Sequence, residues 1–335
     1  MIKEWKEKNK GFTLVELLAV IVILALIALI ATPIILNVIN DAKKQAAKDS
    51  AYGYMDAVEK YIVSSELEDK SIQDGTYRVE ELNKKISVKG STPDNGTIKI
   101  ESKTVKSYDI GIDGYAVSNG KVDKVSTTKS FKNGTAVYYN PVSGEKCKSS
   151  EAVSTTGTKR GCMKWYVFND KEGNATVNVI LDHNTTAGVE YNSTGSNSEM
   201  KEVKIALEND TKDWKNTARL ITANEVAKIT ENTRFDASKT GRYWFYLDSN
   251  NQTQTANASN KSKYAWLFDY TDECTNFGCN KADSNTWGYW TSIPYKDNST
   301  YAWLVSSNGN LINGSVTFTD TGVRPVITIS KSNIS

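Results

Sequence analysis

Hydrophobic and polar positions divide the chain into stretches of different period. Phe12–Leu36 is apolar apart from Thr13, Glu16, Thr32 and Pro33, and the polar leader Met1–Gly11 stands in front of it. Over these roughly 25 residues a helix rising about 1.5 Å per residue spans about 37 Å, more than a hydrocarbon core of about 30 Å. From Asn37 the pattern becomes amphipathic without a breaker. Ala42, Ala46, Ala47, Ala51, Tyr54, Met55, Val58, Tyr61 and Ile62 recur at spacings of three and four, with Lys43, Lys44, Lys48, Asp49, Glu59 and Lys60 between them. One helix from about Phe12 to about Ser65 is predicted, with Gly53 tolerated at about 1 kcal/mol.

Past that helix the period shortens. Val79–Ile86 suits a short helix, and Gly90–Gly96 is turn material. Thr97–Ile100, Ser107–Ile112, Tyr115–Ser118 and Lys121–Val125 alternate as strands, with Asp113-Gly114 and Asn119-Gly120 as hairpin turns. A polar linker, Ser126–Ser130, leads to further strand-like runs at Trp165–Phe168, Thr176–Leu181, Tyr243–Leu247, Tyr264–Phe268, Gly288–Ser292, Tyr301–Val305 and Val323–Ile329. Helices are predicted at Glu199–Glu208 and Ala223–Ile229, the second opened by the capping box Thr222-Ala223-Asn224-Glu225. The fold class expected is α+β. It divides into a leader (1–11), a stalk helix (12–66), a small antiparallel head (67–129) and a larger α+β domain (130–335).

Composition sharpens that division. Of the 8 Trp, Trp5 stands alone and the next is Trp165. A formal charge of +2 lacks the concentrated basic surface that phosphate binding needs, so no specific nucleic acid partner is expected. His183 is the single histidine, which leaves nucleophilic triads and His-rich metal sites little to work with; no cofactor and no enzymatic activity are expected. The lysines at 3, 6, 8 and 10 precede the apolar run, which holds the N-terminus in the cytoplasm and exports the chain beyond Leu36.

Four cysteines permit three pairings, of which proximity favours Cys147–Cys162 with Cys274–Cys279, in an exported region where disulfides persist. The rival reading is a zinc site built from all four, for which Cys274 and Cys279 have knuckle-like spacing while Cys147 and Cys162 lie too far apart. No Asp/Glu run has calcium-loop spacing.

Glu16 is the anomaly of the apolar run. A carboxylate in a bilayer-spanning helix costs about 2.5–3.5 kcal/mol and is expected to have a partner or a function. Lys10-Gly11-Phe12-Thr13-Leu14-Val15-Glu16 resembles the cleavage and methylation motif of type IV pilins and type II secretion pseudopilins. The resemblance implies that a prepilin peptidase/methyltransferase cuts between Gly11 and Phe12 and methylates the Phe12 amine. It further implies membrane lipid as the first surroundings of the helix, then a pilus assembly platform, then other pilin subunits in a filament, where Glu16 of one subunit meets the Phe12 amine of the next. Pro33, which leaves the carbonyl of Leu29 without its helical donor, accompanies a loosened turn in such filaments. The protein would be a single-pass membrane precursor and then part of an extracellular pilus, as a minor or tip subunit serving adhesion or motility. A secretion or DNA-uptake pseudopilin and a pilin-anchored surface enzyme are the alternatives.

Tyr289-Trp290-Thr291-Ser292, Tyr301-Ala302-Trp303 and Gly322-Val323-Arg324-Pro325-Val326-Ile327 resemble the C-terminal pattern of lectin-like domains on Firmicute surface proteins. That resemblance covers about Asp182–Ser330 and implies a fold rather than a ligand. Exposed Trp and Tyr would suit stacking on sugar rings, which makes glycans the candidate ligand class.

Overall fold

In the computed structural model, the described residues are 13–68, 72–124, 130–152, 161–186, 188–239, 241–244, 263–268 and 286–334. Two compact units are present, Met1–Ala46 and Ala47–Ser335, and the expected boundary near residue 130 falls within the second. One helix, α1 (Leu14–Leu67), carries the chain through the first unit and into the second. It continues through Pro33, and on the preceding residue the Thr32 hydroxyl donates to the carbonyl of Ala28 at 2.6 Å.

In the second unit α1 buries Ala47, Ala51, Tyr54, Met55, Val58 and Ile62, the stripe read from the spacing, whereas Ala42 and Ala46 stay exposed and Tyr61 is half-buried. The stripe packs on a meander of β1 (Gly75–Arg78), β2 (Asn95–Glu101), β3 (Thr104–Ile112), β4 (Tyr115–Ser118) and β5 (Lys121–Lys124), with α2 (Val79–Leu82) after β1. All its neighbouring strands are antiparallel. Asp113-Gly114 and Asn119-Gly120 have positive φ at both positions, the I′ geometry that matches strand twist. Ser102-Lys103, also positive at both positions, turns β2 into β3 without the usual Gly. β1 is not among the expected strands, and the short helix after it ends at Leu82 rather than Ile86.

The meander has two different faces. Ile98, Tyr108, Ile110, Ile112, Tyr115 and Val117 alternate toward α1 and are buried with its stripe. At roughly 1.5–3 kcal/mol per buried large aliphatic side chain, this face holds the stalk head together. Asn95, Thr97, Asp109, Gly111, Ala116 and Ser118 alternate to the other side.

The rest of the second unit contains β6 (Ala136–Asn140), β7 (Glu145–Lys146), β8 (Met163–Phe168), β9 (Thr176–Leu181), α3 (Lys201–Thr211), α4 (Ala223–Ile229), β10 (Arg242–Trp244), β11 (Gly288–Pro294), β12 (Tyr301–Ser306), β13 (Asn310–Ser315) and β14 (Val326–Ser330). Among the described residues one sheet runs β14-β9-β8-β6-β7 and another β10-β13-β12-β11. The capping box of α4 is present: Glu225 N–H donates to Thr222 Oγ1 at 3.0 Å and Thr222 N–H to Glu225 Oε2 at 2.9 Å. Tyr264–Phe268, expected as a strand, instead forms a 3-10 turn at Ala265–Leu267. Its aromatics join a core with Tyr166, Phe168, Tyr289 and Trp303, so burial rather than strand pairing explains their density. The last strand starts at Val326 and not Val323, because Pro325 has no N–H to give a ladder.

The outer face of the meander meets β9 and β14. Apart from the small apolar contact of Ala116 with Ala175, the contacts are polar: Asn95 Nδ2 donates to the carbonyl of Thr176 at 2.8 Å, and Ser107 shares a hydrogen bond with Thr217 at 2.6 Å. Deleting Phe131–Ser335 would therefore uncover groups that water can solvate, while the α1-facing core stays closed. The shortened chain is expected to remain membrane-inserted with a protease-resistant stalk head. Rapid digestion of 72–124 in limited proteolysis would refute that expectation.

Candidate functional site: the start of the apolar helix

Thr13 and Glu16 build the start of α1. The backbone N–H of Thr13 donates to Glu16 Oε2 at 2.8 Å, its hydroxyl donates to the same oxygen at 2.9 Å, and the N–H of Glu16 returns to Thr13 Oγ1 at 3.3 Å. This is a capping box, with Thr13 at the cap and Glu16 three residues on. Thr13-Leu14-Val15-Glu16 has the required spacing, yet sequence reasoning takes Glu16 only as a charge in search of a partner. The carboxylate has a local task as well: it satisfies donors that open the helix and sits where the helix dipole favours an anion. Gly11 and Phe12, the expected cleavage pair, lie outside the described residues.

Beyond the cap, Leu14, Val15, Leu17, Leu18, Val20, Ile21, Val22, Ile23 and Leu24 are all exposed, and so are the large aliphatics on to Ile39. Apolar surface exposed on every side of a helix is what a bilayer or a bundle of like helices would cover. Among the described residues α1 is the helix long and apolar enough to cross a membrane.

The remaining expected site residues separate by place. Cys147 and Cys162 form a disulfide with Cα atoms 5.9 Å apart, tying the segment after β7 to the start of β8. Cys274 and Cys279 lie outside the described residues. Among the described residues no cluster of three or more His, Cys, Asp or Glu is placed to hold a metal ion.

The aromatic residues expected on sugar-facing loops are mostly interior. Trp165, Trp290 and Trp303 are fully buried, Trp214 and Trp266 nearly so, and Trp287 is the exposed exception among the described side chains. Edge-on contacts such as Trp165 with Trp214 and Tyr191 with Trp290 hold these rings in the core. The Tyr289, Trp290 and Trp303 of the lectin-like fragments are core residues too.

Sequence reasoning misses the buried ions of this body. Glu225 accepts from Arg219 Nη1 and Nη2, both at 2.8 Å, and Arg78 Nη1 of β1 stands 3.3 Å away. Burial opposes its charge, but the two guanidiniums outweigh that and hold its carboxyl below the ordinary range. Lys331 and Asp170, both fully buried, pair at 2.8 Å.

Residues 6–32 match a family model described as the prokaryotic N-terminal methylation motif. The chain carries a prepilin-type start. Residues 193–331 match a second model, described as a domain of unknown function (DUF6273). No curated protein and no solved structure matches the chain. The methylation motif together with the long apolar helix supports a type IV pilin-like protein of the prepilin-substrate type, consistent with a membrane-anchored precursor.

Proposed function

We propose that the protein is a type IV pilin subunit, minor or tip-located, whose large outer body serves adhesion or motility. The observation that carries this reading is the Leu14–Ile39 surface, apolar on every side and opened by Glu16 inside the methylation motif. Such a surface suits lipid before assembly and neighbouring helices afterwards, and a filament core offers the second. A body as large as Phe131–Ser335 on every subunit would crowd a filament wall, which favours a sparse or terminal position. The lectin-like reading of that body rests on its sequence pattern. A glycan ligand would have to use Trp287 or residues outside the described ones, since the other described Trp side chains are buried.

Processing offers the direct test. Mass spectrometry of surface-sheared protein should show a chain beginning at Phe12 with one added methyl group. Gly11→Val should leave the full-length precursor in the membrane, because a β-branched side chain occupies the place of a residue without Cβ. Filaments that retain Met1–Gly11 would refute the pilin reading. Labelling along the shaft rather than at its ends would refute the tip position alone.

A further inference from the structure

Asp109 sits on β3 in the outer face of the meander, 4% exposed, where β9, β14 and the segment after α3 close over it. Its carboxylate is held by neutral donors. Ser118 Oγ donates to Oδ1 at 2.6 Å, Asn216 Nδ2 to Oδ1 at 3.3 Å, and the N–H of Thr217 to Oδ2 at 3.1 Å. Asn216 extends the network, because its Nδ2 also donates to the carbonyl of Thr328 at 3.0 Å and its Oδ1 accepts from Tyr139 at 2.6 Å. One carboxylate thus joins the stalk-side sheet to β6 and β14 through a single asparagine.

Among the described residues, no cation pairs with Asp109; those on the neighbouring elements are engaged elsewhere or exposed. Lys99 on β2 reaches Glu101 and Glu208, and Lys121 after β4 reaches Asp123. Lys215 donates to the carbonyl of Ser143, while Arg219 and Arg78 share Glu225. Lys331, just past β14, is paired with Asp170, and Lys106 on β3 is exposed. Tyr139 is the titratable group that faces Asp109 from β6, and burial together with the Asp109 charge keeps its phenol protonated.

We propose that Asp109 is a proton-operated latch between the stalk head and the outer body, closing more tightly in acid. A buried anion with neutral partners is poorly compensated for lost water, and taking up a proton removes that penalty. Burial pushes its carboxyl up to about 6, against the opposing pull of the bonds from Ser118, Thr217 and Asn216. Linkage sets the sign. The closed joint binds the proton more tightly than an opened one, so closure strengthens as the pH falls from about 6 toward about 4, and the gain is absent above about 7. The latch is independent of whether the chain enters a filament.

The test is hydrogen exchange on the full chain in detergent, read by mass spectrometry in peptides covering 105–112 and 213–220 and corrected for intrinsic exchange rates. Protection there should rise about tenfold between pH 7.5 and pH 5.0, the ratio expected for a group moving from about 3.9 when open to about 6 when closed. Asp109→Asn should remove the pH dependence and be at least as protected as the parent at pH 7.5. Should that variant not fold, Ser118→Ala replaces it: one donor to the ionised form is gone, so the rise in protection should begin at a higher pH. Parent protection with no pH dependence, a pH dependence that survives in Asp109→Asn, or an unmoved onset in Ser118→Ala would each overturn the latch.

Discussion

Arg324→Leu is expected to unfold the outer body. The guanidinium is completely buried, yet its partners are carbonyls rather than a carboxylate. Nε donates to Leu181 at 2.6 Å, Nη1 to Leu267 at 2.6 Å, and Nη2 to Asp182 at 3.0 Å and Trp266 at 2.7 Å. It also lies 5.1 Å from the ring centroid of Tyr289, whose hydroxyl donates to the same Leu267 carbonyl at 2.8 Å. One side chain thereby closes the end of β9 onto the 3-10 turn. Leucine fills part of the volume and satisfies none of the acceptors. The Leu267 carbonyl keeps the Tyr289 hydroxyl as a donor, but those of Leu181, Asp182 and Trp266 lose theirs. At about 1–3 kcal/mol for each buried acceptor left without a donor, the loss is comparable with a net stability of about 5–15 kcal/mol. Arg324→Lys should fall between, since an ammonium has three donors on a point charge where the guanidinium has a planar fork of five. Denaturation of the detergent-solubilised chain, followed by Trp fluorescence, reads the order directly. An Arg324→Leu midpoint indistinguishable from the parent would show that the carbonyls find other donors.

That arginine also marks how far the sequence can be read. Gly322-Val323-Arg324-Pro325-Val326-Ile327 stands out as a pattern, but nothing in it says that Arg324 turns inward to four carbonyls from two distant segments. Local signals are legible: the α1 stripe, the turns at Asp113-Gly114 and Asn119-Gly120, the capping box at Thr222. Each depends on residues a few positions apart. β13 escapes notice because Asn310, Asn313, Gly314 and Ser315 mask its alternation, and tertiary pairing with β12 supplies what propensity does not. Tyr264–Phe268 fails in the opposite sense, since a run of aromatics reads equally as a strand or as buried turn. The Asp109 joint and the Arg78–Glu225 contact link residues more than a hundred positions apart, and no periodicity reports such pairs. At the candidate site, Glu16 is legible as a charge out of place. Its bonds to Thr13 are available from spacing and go unread.

Those bonds give Glu16 two candidate tasks, and two substitutions tell them apart. Glu16→Gln keeps a side-chain oxygen for the Thr13 N–H and hydroxyl, so the capping box survives while the charge is lost. Glu16→Ala removes both. Loss of a helix cap costs about 0.5–2 kcal/mol, a modest penalty for a helix as long as α1. Removing the partner of a cation in an apolar bundle is worth more, about 3–5 kcal/mol for a broken buried pair. Both variants should insert into the membrane at least as well as the parent, because an expensive carboxylate has left the apolar segment. If the charge governs assembly, both should also fall at least tenfold in sheared filaments, with glutamine no better than alanine, since a cost of about 3 kcal/mol corresponds to more than a hundredfold in an equilibrium. If the cap governs it, Glu16→Gln should assemble like the parent and only Glu16→Ala should fail. Quantitative immunoblotting of sheared filaments against membrane pools decides between them. Parent-like incorporation of Glu16→Ala would remove both tasks from assembly and leave the carboxylate to the processing step alone.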